Sequence, residues 1–390
     1  MDGTEDNKVF CVLPWVHLCA SVDGVWGRCC HDGAMYHDEL YGHEEEPAFT
    51  LKPDAIGCLP RSRYASANPE RAVGLDDAFN SPTMRRTRLA MLAGEKVDAC
   101  TYCYTREEGG GRSYRQAAGA LLSADEVDVP ALVARTGADG SLDASPVYLD
   151  LRFGNSCNLQ CIMCGYPISS RWGLAAHPPW APAHIDPYRD DEALWETLRR
   201  NAGTLRRLYF AGGEPFMQPG HFRLVDMLLD LGVADRIRLA YNSNLTILPD
   251  GLFDKLSRFR SVEIGASCDG TGPVFERIRV GGKWDDFVRN LHVARQYASV
   301  WLAVAPQRDN VFHLRDIVEF AAEEGLRADF TNLVHWPARL SVAALPDDEK
   351  LRAAGYVRTL AADCGERGFA GVAEQLDMLV TFIERSRTPG

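Results

Sequence analysis

From Val147 onward the apolar residues follow two alternating patterns. Short runs rich in β-branched and aromatic residues occur at VYLDLRF (147–153), LRRLYF (205–210), IRLAYN (237–242), SVEIGAS (261–267), VWLAVA (300–305) and RADFTNL (327–333). Between them lie stretches with apolar positions three or four apart, among them DDEALWETLRRN, FRLVDMLLDLG, LFDKLSRF, WDDFVRNLHVARQY and LRDIVEFAAEEG. A period near two that gives way to one near 3.6 marks a strand followed by a helix. Six such units predict an α/β fold with a parallel sheet. Short right-handed crossovers would curl six strands into a partial (β/α)6 parallel barrel, short of the closed eight-stranded form. Ligands of such folds gather at the carboxyl ends of the strands.

Upstream, WVHLCASVDGVWGRCC (15–30) reads as a hairpin turning at Asp23-Gly24. Ser81 is placed to cap a helix through MRRTRLAMLAG that Gly94 ends. Residues 33–75, rich in Pro, Gly and charge, read as a long loop or insertion, and 124–146 as a linker. Beyond Pro346, DDEKLRAAGYVRTLAADCG and VAEQLDMLVTFIERSR predict two more helices. The expected organisation is an N-terminal module (1–123), the linker (124–146), the core (147–335) and a C-terminal helical cover (336–390).

Composition narrows the function classes. The 390 residues are 46% hydrophobic and 25% charged, as in an ordinary globular protein. A formal charge of -12 argues against a nucleic-acid partner, whose binding rests on clustered Lys and Arg. No run of about 18 apolar residues predicts a membrane span, and the acidic start MDGTEDNKVF lacks the chemistry of a signal peptide. The expected location is the cytoplasm. In that reducing compartment the 12 cysteines point to metal ligation or catalysis before disulfides.

The cysteines are unevenly spread. Cys157, Cys161 and Cys164, in NSCNLQCIMCGYP (155–167), follow the first core strand with a C-x3-C-x2-C spacing. A structural zinc site wants four ligands, whereas a four-iron cube held by three thiolates leaves one iron open for chemistry. With that placement the stretch resembles the radical S-adenosylmethionine (SAM) superfamily over roughly residues 147–335. The resemblance implies a 4Fe-4S cluster whose free iron chelates SAM, and an electron that breaks the sulfonium bond to give a 5'-deoxyadenosyl radical. The cofactor would carry the hard chemistry while the protein positions substrate and excludes water.

Other residues extend the resemblance. FAGGEPF, at the end of the second strand, contains Gly212-Gly213-Glu214, which resembles the family's GGE motif for the SAM ammonium; standing alone it would read as a strand-to-helix turn. Ser243 and Asn244, ending the third strand, are candidates for the ribose hydroxyls, though both residue types also fill ordinary turns. ASCDGTGPVFERIRVGGKWDD is similar to an SxDG…IRxG stretch of peptide- and sugar-modifying relatives, with Arg279 a candidate for the SAM carboxylate and a surface ion pair as its alternative. Met163 takes a position that in the family lies over adenine. Cys268, closing the fourth strand, is a candidate hydrogen-atom donor or a buried small hydrophobe.

Cys11, Cys29, Cys100 and Cys103 resemble the ligand layout of a twitch domain, and their place ahead of the core resembles the N-terminal-twitch radical SAM family. That implies a second, auxiliary 4Fe-4S cluster. Cys30 could replace Cys29, four cysteines also suit zinc, and the 33–75 insertion could bring Cys58 close. Glu107 to Ser113 read as a cleft-shaping loop or a solvated linker, and Cys364 as structural. The expected function is hydrogen abstraction from a small-molecule substrate (sugar, aminocyclitol or nucleotide-like), leading to dehydrogenation, epimerisation or rearrangement. A flavodoxin or ferredoxin would donate the electron. The alternative is a peptide maturase.

Overall fold

A computed structural model describes residues 7–35, 48–176 and 182–387, so part of the expected 33–75 insertion lies outside the described residues. Its strands are β1 (His17–Ala20), β2 (Val25–Gly27), β3 (Gly57–Cys58), β4 (Tyr148–Leu151), β5 (Gln160–Cys161), β6 (Arg207–Phe210), β7 (Arg238–Ser243), β8 (Ser261–Ser267), β9 (Arg279–Val280), β10 (Ser299–Ala303) and β11 (Ala328–Asp329). The chain divides into two compact units. The first holds residues 1–156, 166–240 and 254–262; the second holds 157–165, 241–253 and 263–390.

In the first unit the hydrogen-bonded order is β7-β6-β4-β1-β2-β3. β4 runs parallel to both β1 and β6, with Tyr148 opposite His17 and Arg207, and Asp150 opposite Cys19 and Tyr209. The hairpin turns where expected, with Gly24 at φ 77, a value that glycine adopts without a Cβ penalty. Because side chains alternate along a strand, β4 separates two environments. Leu149, Leu151 and Phe153 point to an apolar layer, where the Phe153 ring stacks on Trp195 at 5.6 Å. Trp195 comes from helix Glu192–Asn201, which Asp191 starts by accepting the Leu194 N–H and which buries Leu194, Trp195 and Leu198 on one face. Tyr148, Asp150 and Arg152 point the other way, to a polar face with His17, Cys19 and Tyr209.

The stretch ahead of the core holds structure that its sequence pattern did not predict. The 124–146 segment contains helix Val129–Ala134, and just before it the buried Asp125 carboxylate pairs with Arg207 at 2.6 Å and Arg238 at 2.9 Å. The buried Asp125 between two arginines anchors the start of this segment, which its DGSLDASP stretch does not reveal. Helix Pro82–Leu92 forms as expected, with Ser81 accepting the Met84 N–H.

In the second unit the order is β7-β8-β10-β11, with β8, β10 and β11 parallel. The sixth run pairs only over Ala328–Asp329. Asp329 accepts from the backbone and hydroxyl of Thr331, and Gln375 takes the Phe330 N–H, so side chains replace the ladder there. The two C-terminal helices form as Asp347–Glu366 and Ala370–Arg385, burying Val357, Leu360, Cys364, Leu376, Leu379 and Ile383. Among the described residues no helix is long and apolar enough to cross a membrane.

Candidate active site

Local backbone bonds shape the three-cysteine loop of the second unit. β5 pairs antiparallel with β9, placing Cys161 opposite Arg279, and the Ile162 N–H extends the ladder to the Ile278 carbonyl. The Cys164 N–H turns back to the Cys161 carbonyl at 3.0 Å. Leu159 N–H donates to the Cys157 sulfur at 3.4 Å, and the Asn244 amide lies 3.9 Å from the same atom. All three thiols are half-buried. Burial pushes the Cys164 thiol far up, with Cys161 and Cys157 adding to it. It also raises Cys161, against the opposing pull of the Arg279 guanidinium, whose Nη1 sits 3.9 Å from that sulfur.

Arg279 is held from behind. Its Nη2 pairs with the fully buried Asp269 carboxylate at 2.6 Å, and the other carboxylate oxygen accepts the Ala305 N–H at 2.7 Å. Burial raises the Asp269 pKa even though Arg279 and that N–H pull it down. Asp269 was not singled out in the sequence; its signal was the SxDG stretch, read for Arg279 and Cys268 alone. Asn244 is engaged on both ends: its amide donates to Asn158, and its carbonyl accepts from the backbone and hydroxyl of Thr246. Ser243 Oγ accepts the Leu245 N–H. Met163 and Ile162 pack on Ala305, Val334 and Leu340. Cys268 is fully buried, its thiol donating to the Gly270 carbonyl at 3.3 Å and pushed up to about 12 by burial.

In the first unit, Gly212-Gly213-Glu214 follows β6 and lies against Gly154-Asn155-Ser156. Gly213 N–H donates to the Gly154 carbonyl at 3.1 Å and Glu214 N–H to the Ser156 carbonyl at 2.8 Å. A Cβ on Gly213 would stand 2.2 Å from the Ser156 oxygen, which explains why a side chain is absent there. Glu214 is buried and accepts the Phe216 N–H.

The upstream cysteines are also in the first unit. Burial lifts Cys11 to about 12, with Cys103 the next upward influence; it lifts Cys100 likewise, with Cys11 and Cys103 among the contributing charges. Cys29 feels Cys30, Cys11 and Cys100, and Cys30 feels Cys103. Each of the five thiols therefore lies within electrostatic reach of at least one other. Arg28 pins the turn carrying Cys29 and Cys30 by pairing with Asp32 at 2.8 Å and Asp54 at 3.0 Å, and Gly33 N–H reaches the Ala99 carbonyl beside Cys100. Arg115 joins the carbonyl of Phe10, beside Cys11, to Glu107 on helix Thr101–Glu108. Glu107 is thus a structural tie, whereas Glu108 pairs at the surface with Lys96. Cys58 packs instead in an apolar cluster with Cys19, Val25 and Tyr64, which Cys30 touches from its edge.

Among the described residues no three His, Cys, Asp or Glu side chains converge on one metal-ion position. The donor set of the loop is nonetheless purely thiol, as clusters require, and N–H groups already face its sulfurs.

Residues 151–321 match the sequence profile of the Radical SAM superfamily. The chain carries a radical SAM domain. The matched residues include the three-cysteine loop, the GGE segment and Arg279. No curated protein matches the chain. Solved structures with local likeness include anSMEcpe with bound AdoMet, at 17% identity, a TM-score of 0.45, and coverage of 58% of this chain and 62% of that one. Streptococcus suis SuiB bound to S-adenosylmethionine is 13% identical with a TM-score of 0.41, covering 73% and 62%. Kitasatospora setae TsrM, a radical SAM methyltransferase with cobalamin and a [4Fe-4S] cluster, is 13% identical with a TM-score of 0.34, covering 47% and 34%. The chain thus spans 62% of the length of the first two.

Proposed function

We propose that this protein is a radical SAM enzyme that cleaves SAM reductively and abstracts a hydrogen atom from a polar small molecule. The observation that carries the reading is the loop of three thiols whose middle member faces a guanidinium backed by a buried carboxylate. A 4Fe-4S cluster bound there would leave one iron for SAM and supply the electron that releases a 5'-deoxyadenosyl radical.

The residues divide the remaining work. Cys157, Cys161 and Cys164 hold the cluster as thiolates, and the Arg279 charge favours the ionised form of its neighbour. Leu159 N–H and the Asn244 amide stabilise negative charge on Cys157. Arg279, fixed by Asp269, offers a cation to the SAM carboxylate, while Glu214 and the backbone of Gly212 and Gly213 receive the ammonium. Met163 covers the adenine, and Ser243 and Asn244 address the ribose. For Asn244 this requires exchanging a contact it now makes with Asn158 or Thr246.

Cys11, Cys29, Cys100 and Cys103 hold an auxiliary 4Fe-4S cluster, with Cys30 the spare thiol. The polar face of β4 and β6 supports a polar substrate. Tyr209 is half-buried there and held well above its ordinary pKa by burial. The buried Asp150 and the half-buried Arg152 share that face as a pair 3.3 Å apart. A sugar, aminocyclitol or nucleotide-like compound suits such groups, and a flavodoxin or ferredoxin would serve as electron donor. For Cys268 to return a hydrogen atom, its bond to Gly270 must break, so a Cys268→Ala variant of unchanged activity would remove it from the scheme.

The test is anaerobic reconstitution followed by counting iron and 5'-deoxyadenosine with SAM and dithionite. The wild type is expected to hold about eight irons, two four-iron clusters. It should also produce deoxyadenosine, which Cys157→Ala should not. Bound zinc, or equal background from both proteins, would defeat the proposal.

A further inference from the structure

Gln307 lies four residues beyond β10, and its side chain is anomalous. The residue is fully buried, and neither Nε2 nor Oε1 of its amide has a hydrogen-bond partner among the described residues. A buried amide left without partners is costly, and folded proteins retain few of them. The backbone around it is, by contrast, completely engaged. Gln307 N–H donates to Asn310 Oδ1 at 2.8 Å, and its carbonyl accepts the Asn310 and Val311 N–H groups. The Asn310 amide donates in turn to the carbonyls of Asp269 and Ala305, both at 3.1 Å. Asp269 is the carboxylate that fixes Arg279. The residue is therefore held rigidly by the same network that orients the guanidinium beside Cys161, while its side-chain amide remains unserved.

Its surroundings indicate what could serve it. Ala305 belongs to the apolar group with Val334 and Leu340 on which Ile162 and Met163 pack. The strand-end segment is stitched to the other two walls by Val334 N–H to the Pro306 carbonyl and Arg308 N–H to the Leu340 carbonyl. A purine needs apolar groups against its faces and, at its edge, a partner with a donor and an acceptor in one plane. A glutamine amide is such a partner and pairs with adenine in this way in nucleic-acid recognition.

We infer that Gln307 is a ligand-positioning residue whose side-chain amide bonds the amino edge of the SAM adenine, between walls formed by Met163, Ile162, Ala305, Val334 and Leu340. This rests on the SAM-binding reading above and adds a polar contact to it. It also accounts for the anomaly: the amide goes unpartnered in the ligand-free chain because its partner arrives with SAM.

Gln307→Met removes both polar atoms at nearly constant volume, with Gln307→Leu as a second variant. In the ligand-free protein the substitution should raise the melting temperature by about 2 °C, because a penalty is deleted. In the reconstituted protein, SAM affinity by equilibrium dialysis should fall about tenfold. S-adenosylhomocysteine and its counterpart lacking the 6-amino group make the contact specific: loss of that amine should weaken binding to the wild type and leave binding to Gln307→Met unchanged. A fall in melting temperature in both variants would show a structural amide and overturn the inference. So would unaltered SAM affinity, or an amine effect equal in wild type and variant. A wild type that holds iron and binds SAM while the variant matches it defeats this inference alone; a wild type that binds neither defeats the parent reading as well.

Discussion

The two cysteine groups are built by opposite means. In the second unit, three thiols lie within eight residues of chain, and a two-residue ladder with Arg279 sets their geometry. In the first unit, the thiols come from positions 11, 29, 30, 100 and 103, and their segments are tied by the buried Arg28–Asp32 pair and the half-buried Arg115–Glu107 pair. The local loop offers one thiol fewer than a four-iron cube has irons, and the assembled group at least as many. On the proposed reading, the local loop would leave a metal position open and the long-range group would close one. The number of thiols, and not their mere presence, would then separate reaction site from electron store.

Removing one thiol from each group should break this comparison most visibly. Cys164→Ala is expected to abolish 5'-deoxyadenosine formation altogether, whereas Cys103→Ala should lose about four irons and still cleave SAM. If both abolish cleavage, the two groups are not functionally distinct. Parallel Cys29→Ala and Cys30→Ala proteins, read by iron content, identify which of the adjacent thiols is the ligand; only one should lose iron.

A smaller effect concerns the scaffold of the local loop. Arg279→Met leaves the Asp269 charge buried without its partner, at a cost of about 3 kcal/mol. The urea midpoint of the metal-free protein should fall accordingly, and Asp269→Asn in the same chain should restore part of it. An unchanged midpoint would show that the pair does not hold the loop.

A last effect separates the two units by pH. In the first unit, burial lowers the His221 pKa from 6.5 to about 3. A depressed imidazole means that the unfolded chain takes up a proton that the folded one refuses. Its contribution is intact above pH 6.5 and is lost at about 1.4 kcal/mol per pH unit as pH falls toward 3. In the second unit the raised carboxyl of Asp269 has the opposite sign, since protonation on acidification relieves the buried charge. Hydrogen exchange followed peptide by peptide between pH 6.5 and 4 should show protection falling first around His221, and His221→Asn should flatten that slope. Equal loss in both units would contradict it.

Much of this was legible in the chain. The six βα runs, the hairpin at Asp23-Gly24, the Ser81 cap and the two C-terminal helices follow from periodicity and turn chemistry, which act over a few residues. The C-x3-C-x2-C loop and the GGE turn were legible for the same reason. The sixth strand was overread because Asp329 and Gln375 take its backbone bonds, a competition that composition does not reveal. The 124–146 segment was read from its DGSLDASP stretch, and that stretch says nothing about a buried partner such as Arg207 for Asp125.

By itself, then, the sequence determined most of the core strands and helices, and that three thiols follow the first core strand at cluster spacing, because these are short-range properties of neighbouring residues. Only the tertiary structure decided that Asp269 stands behind Arg279, that five cysteines distant in sequence are each brought near at least one other, and that the Gln307 amide is buried without a partner among the described residues. Those outcomes depend on which side chains meet after the chain has folded. Desolvation sets their energetic weight, so a polar group acquires its meaning from the company in which it is buried.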